Sequence, residues 1–253
     1  MVPKIIHYCW LSNDPYPPNI QECIQSWYKY LGDYEFKLWN KENFDIDSVK
    51  WVKEAYEAKK YAFAADYIRL YALYTDGGIY LDTDVLVYKS FNDLLQLPYF
   101  IGQDFIGAFE PAIIGAQPGL SWIKKVIDFY TDRDFINPDG TLNIKNLPVV
   151  FFERLFPLYS FKKISSESEF DFNSTIFNLF PYKFFNGRDN VMPKRFPVSY
   201  TSHLFANSWS DSCNNKRIKG YLPSKLFNCI YGFNYHFLRK KIVHFYDPIY
   251  RQS

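Results

Sequence analysis

The chain has 253 residues and a formal net charge of +2, too little excess charge to specify a nucleic-acid partner on its own, and none is expected. That length admits one large α/β domain with a sizeable core, and we read residues 1–253 as one such unit. Aromatic residues make up 21%, a supply that suits stacking on bases and sugar rings and that an AT-rich coding bias also produces.

Charge is unevenly spread. Residues 1–110 hold 10 basic and 16 acidic side chains, and residues 203–253 hold 8 basic and 2 acidic. The basic, aromatic stretch 220–253 suits a phosphate or an anionic membrane surface, or a solvated C-terminal helix. Cys9, Cys23, Cys213 and Cys229 show no CxxC or Cys/His metal spacing. The N-terminus lacks a signal-peptide run, and no stretch reaches the ~18 apolar residues of a spanning helix. The expected location is the cytoplasm, either free or peripheral on the inner face of the plasma membrane.

In chain order, Lys4 to Trp10 is a short apolar run after Pro3 and predicts a buried first strand. A Pro-rich loop follows. Ile20, Cys23, Ile24, Trp27 and Leu31 share one helical face that Gly32 ends. Tyr34 to Trp39 alternates as a second strand. Val49 to Tyr74 predicts two helices, the second from about Ala62, rich in small residues and apolar almost all round. Gly77 and Gly78 stop it, and a third strand is expected over 79–88. Glu110-Pro111 breaks the apolar runs of 105–115, a helix is expected over Ser121–Tyr130, and another over Asn146–Tyr159 from near Pro148. Residues 160–200 read as irregular with short strands at best. Strand–helix–strand–helix–strand predicts an α/β sheet with a parallel core and ligands at its carboxyl ends.

The most informative segment is Gly77-Gly78-Ile79-Tyr80-Leu81-Asp82-Thr83-Asp84. In a strand, residues i and i+2 share a side, so Asp82 and Asp84 would bring two like charges to one place. A hard divalent ion carrying a diphosphate is the usual neutraliser. Asp66 and Arg69 share a face of the preceding apolar helix, as either a structural ion pair or a ligand-binding pair.

Pro3 to Trp10, Ser26-Trp27, Leu38-Trp39-Asn40, Lys59 to Phe63, Asp66 to Leu70 and Gly77 to Val85 together resemble glycosyltransferase family 32, the DXD sugar-binding family. That family includes yeast mannosyltransferases and bacterial capsule and lipopolysaccharide enzymes; clostridial glucosylating toxins are more distantly similar. The likeness is dense over residues 1–90 and resumes at His203 and at Ser208-Trp209. It implies a GT-A fold, meaning a mixed, mainly parallel sheet flanked by helices, and a retaining hexosyltransferase using Mn2+ or Mg2+ and a nucleotide-sugar, UDP-hexose favoured. A glycan or lipid-linked oligosaccharide would accept the sugar.

By the same resemblance, Trp10 meets the base, with core packing as its alternative; Tyr80 and His7 are counted with the donor-binding residues, and His7 also reads as a structural strand-end histidine. Asp66, Arg69, Asp82 and Thr83 hold the donor sugar and diphosphate side. Asp84, with His203 and Asp82, holds the metal, and Ser208 and Trp209 contact metal and diphosphate. Glu110, Gln117 and Asn146 face the acceptor. Asp66, Arg69, Asp82 and Asp84 are the expected catalytic set. The competing readings are a metal-dependent phosphohydrolase or nucleotidyltransferase, which Trp10 and the Asp66/Arg69 helix fit poorly, and a non-catalytic carbohydrate-binding protein.

Overall fold

A computed structural model describes residues 1–12, 14–104, 107–186 and 196–205. The first strand, β1 (Ile5–Cys9), leads through a Pro-rich loop into α1 (Pro18–Tyr30), and β2 (Glu35–Trp39) lies parallel to β1 from Ile5↔Glu35 to Cys9↔Trp39. Pro17 and Pro18 start α1 two residues earlier than its apolar stripe does, because Pro is pre-organised for the first helical turn. Ile20, Cys23 and Trp27 are its buried face.

The long helical stretch is two helices, as its composition predicts: α2 (Lys50–Glu57) and α3 (Tyr61–Thr75), joined at Lys59 with φ 57°. The α3 helix buries Phe63, Ala64, Ile68, Leu70, Ala72 and Leu73, and with them Asp66 and Arg69. Gly77 and Gly78 follow with φ of 66° and 107°, a backbone only glycine adopts without strain. A Cβ on Gly78 would lie 2.7 Å from the Ile5 carbonyl oxygen and 2.9 Å from His7 Nε2. This close approach lets β3 (Gly78–Leu81) dock on β1, parallel, with Ile6↔Ile79 and His7↔Tyr80.

The expected strand over 79–88 is instead two strands in different sheets. After β3 the chain turns through Asp82-Thr83-Asp84, with Val85 N–H donating to the Asp82 carbonyl at 3.0 Å, before β4 (Val85–Val87) begins. Asp and Thr are turn formers because their side chains compete for backbone groups. The apolar residues on either side hide the break from a reading by periodicity.

On the other flank of β3 the sheet becomes antiparallel. The strands β5 (Tyr99–Gln103) and β6 (Phe109–Ala116) complete the order β2-β1-β3-β6-β5, a mixed sheet with helices packed on it, the α/β class expected. Glu110-Pro111 lies inside β6 rather than breaking it. The β5–β6 ladder shifts register at Ile101/Gly102, and Pro111, which has no N–H to pair, sits opposite that irregularity. The helix α4 (Ser121–Thr131) is as expected, and α5 (Leu147–Leu155) starts where Asn146 caps it by accepting from Val149 N–H at 3.3 Å. In the region read as irregular, β7 (Ser160–Lys163) pairs with β8 (Ile176–Leu179), and β9 (Thr201–His203) pairs antiparallel with β4. Among the described residues no helix is long and apolar enough to cross a membrane. Cys9 and Cys23 are free, buried thiols, and residues 220–253 lie outside the described residues.

Candidate active site

The carboxyl ends of β1 and β3 open into a cavity of about 710 Å³, where ligands of such sheets bind. Trp10 lines it just past β1, held by donation from its Nε1 to the Asp14 carbonyl (2.9 Å) and by an edge contact with Tyr16 at 4.8 Å. Its side chain is partly exposed to the cavity.

Arg69 lies in the wall of this cavity at 4% exposure. Its Nη2 is 2.9 Å from Asp66 Oδ1 and 3.3 Å from Asp82 Oδ1, while Nη1 donates to the Pro111 carbonyl at 2.9 Å. The guanidinium lies over the Tyr80 ring, 4.7 Å from its centre. Arg suits this place because its planar fork serves several acceptors at once and stays charged when buried. Among the described residues its Nε has no partner. Burial pushes the Asp66 carboxyl up to about 7, against the pull of Arg69.

The Asp82-Thr83-Asp84 turn, rather than strand alternation, brings the two carboxylates together. The third member comes from far along the chain. Because Val85 pairs with His203, and Leu204 N–H donates to the Asp84 carbonyl at 3.0 Å, the imidazole is delivered to the turn. His203 Nε2 is 3.3 Å from Asp84 Oδ1, and ligand atoms of Asp82, Asp84 and His203 all lie within 4.8 Å of one another. On the far side, His203 Nδ1 is 3.3 Å from Glu110 Oε1, without hydrogen-bond alignment. Burial works against charge on His203, but Asp84 and Glu110 outweigh it and hold its pKa well above the usual range. Burial, with Asp84 beside it, raises the Asp82 carboxyl in spite of Arg69.

Residues 17–101 match the glycosyltransferase sugar-binding region containing the DXD motif. That span includes Asp66, Arg69, Asp82 and Asp84; Trp10, Glu110 and His203 lie outside it and join the site through the fold alone. Over 130 residues the chain is 29% identical to inositol phosphoceramide mannosyltransferase 3 of Schizosaccharomyces pombe, covering 50% of this chain and 36% of that protein. It is 31% identical over 131 residues to a mannosyl phosphorylinositol ceramide synthase of Saccharomyces cerevisiae, covering 50% of this chain and 34% of the relative. An uncharacterized glycosyltransferase of Acanthamoeba polyphaga mimivirus is 26% identical over 160 residues, 58% of this chain and 61% of that one. The chain thus spans about a third of the length of the yeast relatives and under two thirds of the viral one. Among solved structures, a PaToxG glycosyltransferase matches with TM-score 0.46 and 18% identity over 62% of this chain and 69% of that one.

The donor set of the DXD region suits a divalent cation. Asp66 and Asp82 flank the Arg69 guanidinium, and Asp84 and Glu110 flank the His203 ring, so four carboxyl groups gather at the cavity floor. Two carboxylates and an imidazole with ligand atoms within 4.8 Å of one another are a donor set that could hold a divalent ion such as Mn2+.

The remaining expected residues divide. Tyr80 (1% exposed), Thr83, Glu110 and Asn146 all line the cavity. His7 does not. It is fully buried in the sheet, where its Nε2–H donates to the Gly77 carbonyl at 2.7 Å and its Nδ1 accepts from Trp39 Nε1 at 3.0 Å. Both ring nitrogens are committed, Nε2 to the Gly-Gly turn and Nδ1 to Trp39, which leaves neither for a donor. Gln117 is also displaced. It follows the other end of β6, next to Gly78, and accepts from the Met1 ammonium at 3.2 Å, away from the cavity. Ser208 and Trp209 lie outside the described residues.

Sequence reasoning missed Asp104 and Phe205. Asp104 is 5% exposed, faces the cavity and caps the β5–β6 loop by accepting from Ala108 N–H at 2.9 Å. Phe205 packs its ring 4.1 Å from that of His203. Neither has a sequence signal of its own; each is placed by strand pairing.

Proposed function

We propose that this protein is a metal-dependent, retaining hexosyltransferase of GT-A type. It moves a sugar from a nucleoside diphosphate donor to a glycan or lipid-linked glycan. The observation that carries the proposal is the Arg69 bridge between Asp66 and Asp82, set beside Asp82, Asp84 and His203 in the floor of one cavity within a DXD region.

Asp84, His203 and Asp82 would hold Mn2+ or Mg2+, and a cation there supplies neutralising charge for the leaving diphosphate. Arg69 adds a fixed positive charge on the same side, already desolvated and oriented, so it costs no reorganisation when charge develops. Asp66 and Asp82 accept from sugar hydroxyls and fix the reacting carbon. Trp10 flanks the base. The acceptor oxygen would bond to the anomeric carbon on the face the diphosphate leaves, as the bond from that carbon to the diphosphate breaks and the hydroxyl proton passes to the departing diphosphate oxygen, which retains the anomeric configuration. Glu110 is too enclosed, at 3% exposure, to serve as an acceptor platform, so Asn146 remains the acceptor-side residue.

UDP-hexose is the donor favoured by the likeness to toxin-type sites. The names of the yeast relatives favour a second reading, a mannosyl donor and an inositol-phosphate sphingolipid acceptor. A setting in surface polysaccharide synthesis at the cytoplasmic face of a membrane is part of the first reading only. A panel of UDP- and GDP-sugars with Mn2+, read by release of nucleoside diphosphate and by NMR of the product linkage, separates the two. Release from no donor defeats both, and an inverted linkage removes the retaining claim.

A further inference from the structure

We propose that Glu110 is a positioning residue whose task is to aim His203 at the cation site, a proposal that rests on the metal reading given above. Glu110 is 3% exposed on β6, and its Oε1 accepts from Ala112 N–H at 3.2 Å, so its own strand fixes the carboxylate. A carboxylate enclosed this far is costly unless it has a partner. The partner within reach is His203, whose Nδ1 lies 3.3 Å from the same oxygen.

Each edge of the imidazole therefore meets a carboxylate, Glu110 at Nδ1 and Asp84 at Nε2, while Phe205 packs against the ring at 4.1 Å. A small ring rotation aligns Nδ1–H on Glu110. A cation that displaces the Nε2 proton would then meet the Nε2 lone pair on the side where Asp82 and Asp84 lie. A carboxylate on the far nitrogen of a metal-binding histidine sets its tautomer and orientation and raises its basicity. The geometry also explains why an acidic residue sits inside β6: the link ties the five-stranded mixed sheet to the separate β4–β9 pair next to the turn.

The test is a double-mutant cycle read by Mn2+ affinity, measured by electron paramagnetic resonance on the full chain. Glu110→Ala is expected to weaken Mn2+ binding by about 10- to 100-fold. In a His203→Ala background, removing Glu110 is expected to cause no further loss, because it acts through the ring. The 14N coupling of a bound imidazole, visible in spin-echo spectra of the wild type, is expected to fade in Glu110→Ala. If Glu110→Ala does not fold, Glu110→Gln runs the same cycle with a smaller expected loss, since its amide oxygen still accepts. Unchanged affinity, or equal losses with and without His203, overturns the proposal while leaving the metal site standing. Failure of the wild type to bind Mn2+, or binding by Asp84→Ala as tight as the wild type, overturns the metal reading itself and this proposal with it.

Discussion

Replacing Asp66 by Asn tests the electrostatics of the cavity floor without touching the Asp82/Asp84 turn. Asp66 is 9% exposed, and burial raises its carboxyl from 3.8 to about 7 even with Arg69 2.9 Å away. A carboxyl with a raised folded-state pKa holds its proton in the native protein at pH values where the unfolded chain has lost it. The resulting stabilisation is complete below the unfolded value of 3.8 and is lost as pH climbs through about 7. About three pH units at ~1.36 kcal/mol each give about 4 kcal/mol as the upper bound. Asn carries no such proton, so the wild type should lose stability relative to Asp66→Asn by up to that amount between pH 4 and 8. Any constant cost of the amide cancels in this difference. The assay is urea unfolding of both proteins across that range with metal chelated. Parallel stability–pH curves for the two would refute the reasoning, because they would mean that Asp66 is as ionised in the native state as in the unfolded one.

Arg69→Lys should be destabilising by about 3–5 kcal/mol and inactive, because a point charge on a flexible stem cannot serve Asp66, Asp82 and the Pro111 carbonyl together; thermal melts and donor binding check this. Gly78→Ala should cost about 1–3 kcal/mol from backbone strain alone, with φ at 107° and the Ile5 carbonyl 2.7 Å from the new methyl; a melting temperature equal to the wild type refutes it. Trp27→Phe removes the donor that meets the Val85 carbonyl at 2.6 Å and should cost about 1–3 kcal/mol. Because Val85 directly follows Asp84, faster amide exchange at residues 82–85 should accompany that loss.

The parts of the site readable from sequence are those that short-range chemistry fixes. Asp66 and Arg69 share a helical face because their spacing is three, and Gly77-Gly78 stops the helix because two positive φ values need glycine. Apolar runs announce β1, β3 and α3, and with them the end of the sheet where the cavity opens. Two errors came from periodicity. The apolar residues on both sides of Asp82-Thr83-Asp84 read as one strand, whereas the turn hydrogen bond from Val85 to Asp82 separates two sheets. Pro111 read as a break, whereas a register shift in the β5–β6 ladder accommodates it.

His203 was placed by resemblance rather than derivation, since nothing local in a three-residue strand states that it pairs with Val85. His7 reads either as a donor-side residue or as a structural strand-end histidine, and its place in the sheet fits the structural reading. Its immersion depends on Trp39 and Gly77, which only the assembled sheet brings to its two nitrogens. Gln117 is the polar side chain nearest in sequence to the Ile113–Ala116 stretch that resembles an acceptor- and donor-facing region, but β6 runs antiparallel to β3 and carries it to the opposite end of the sheet.

We propose that Asp84 belongs to a cation site serving nucleotide-sugar transfer. The most direct test is release of nucleoside diphosphate by the wild type and by Asp84→Ala, with Mn2+ titrated into a panel of UDP- and GDP-sugars. The predicted result is Mn2+-dependent release with at least one donor by the wild type, and a loss of about 100-fold or more in a folded Asp84→Ala protein. Release by Asp84→Ala at the wild-type rate, or release by the wild type that ignores Mn2+ and chelator alike, would contradict the account.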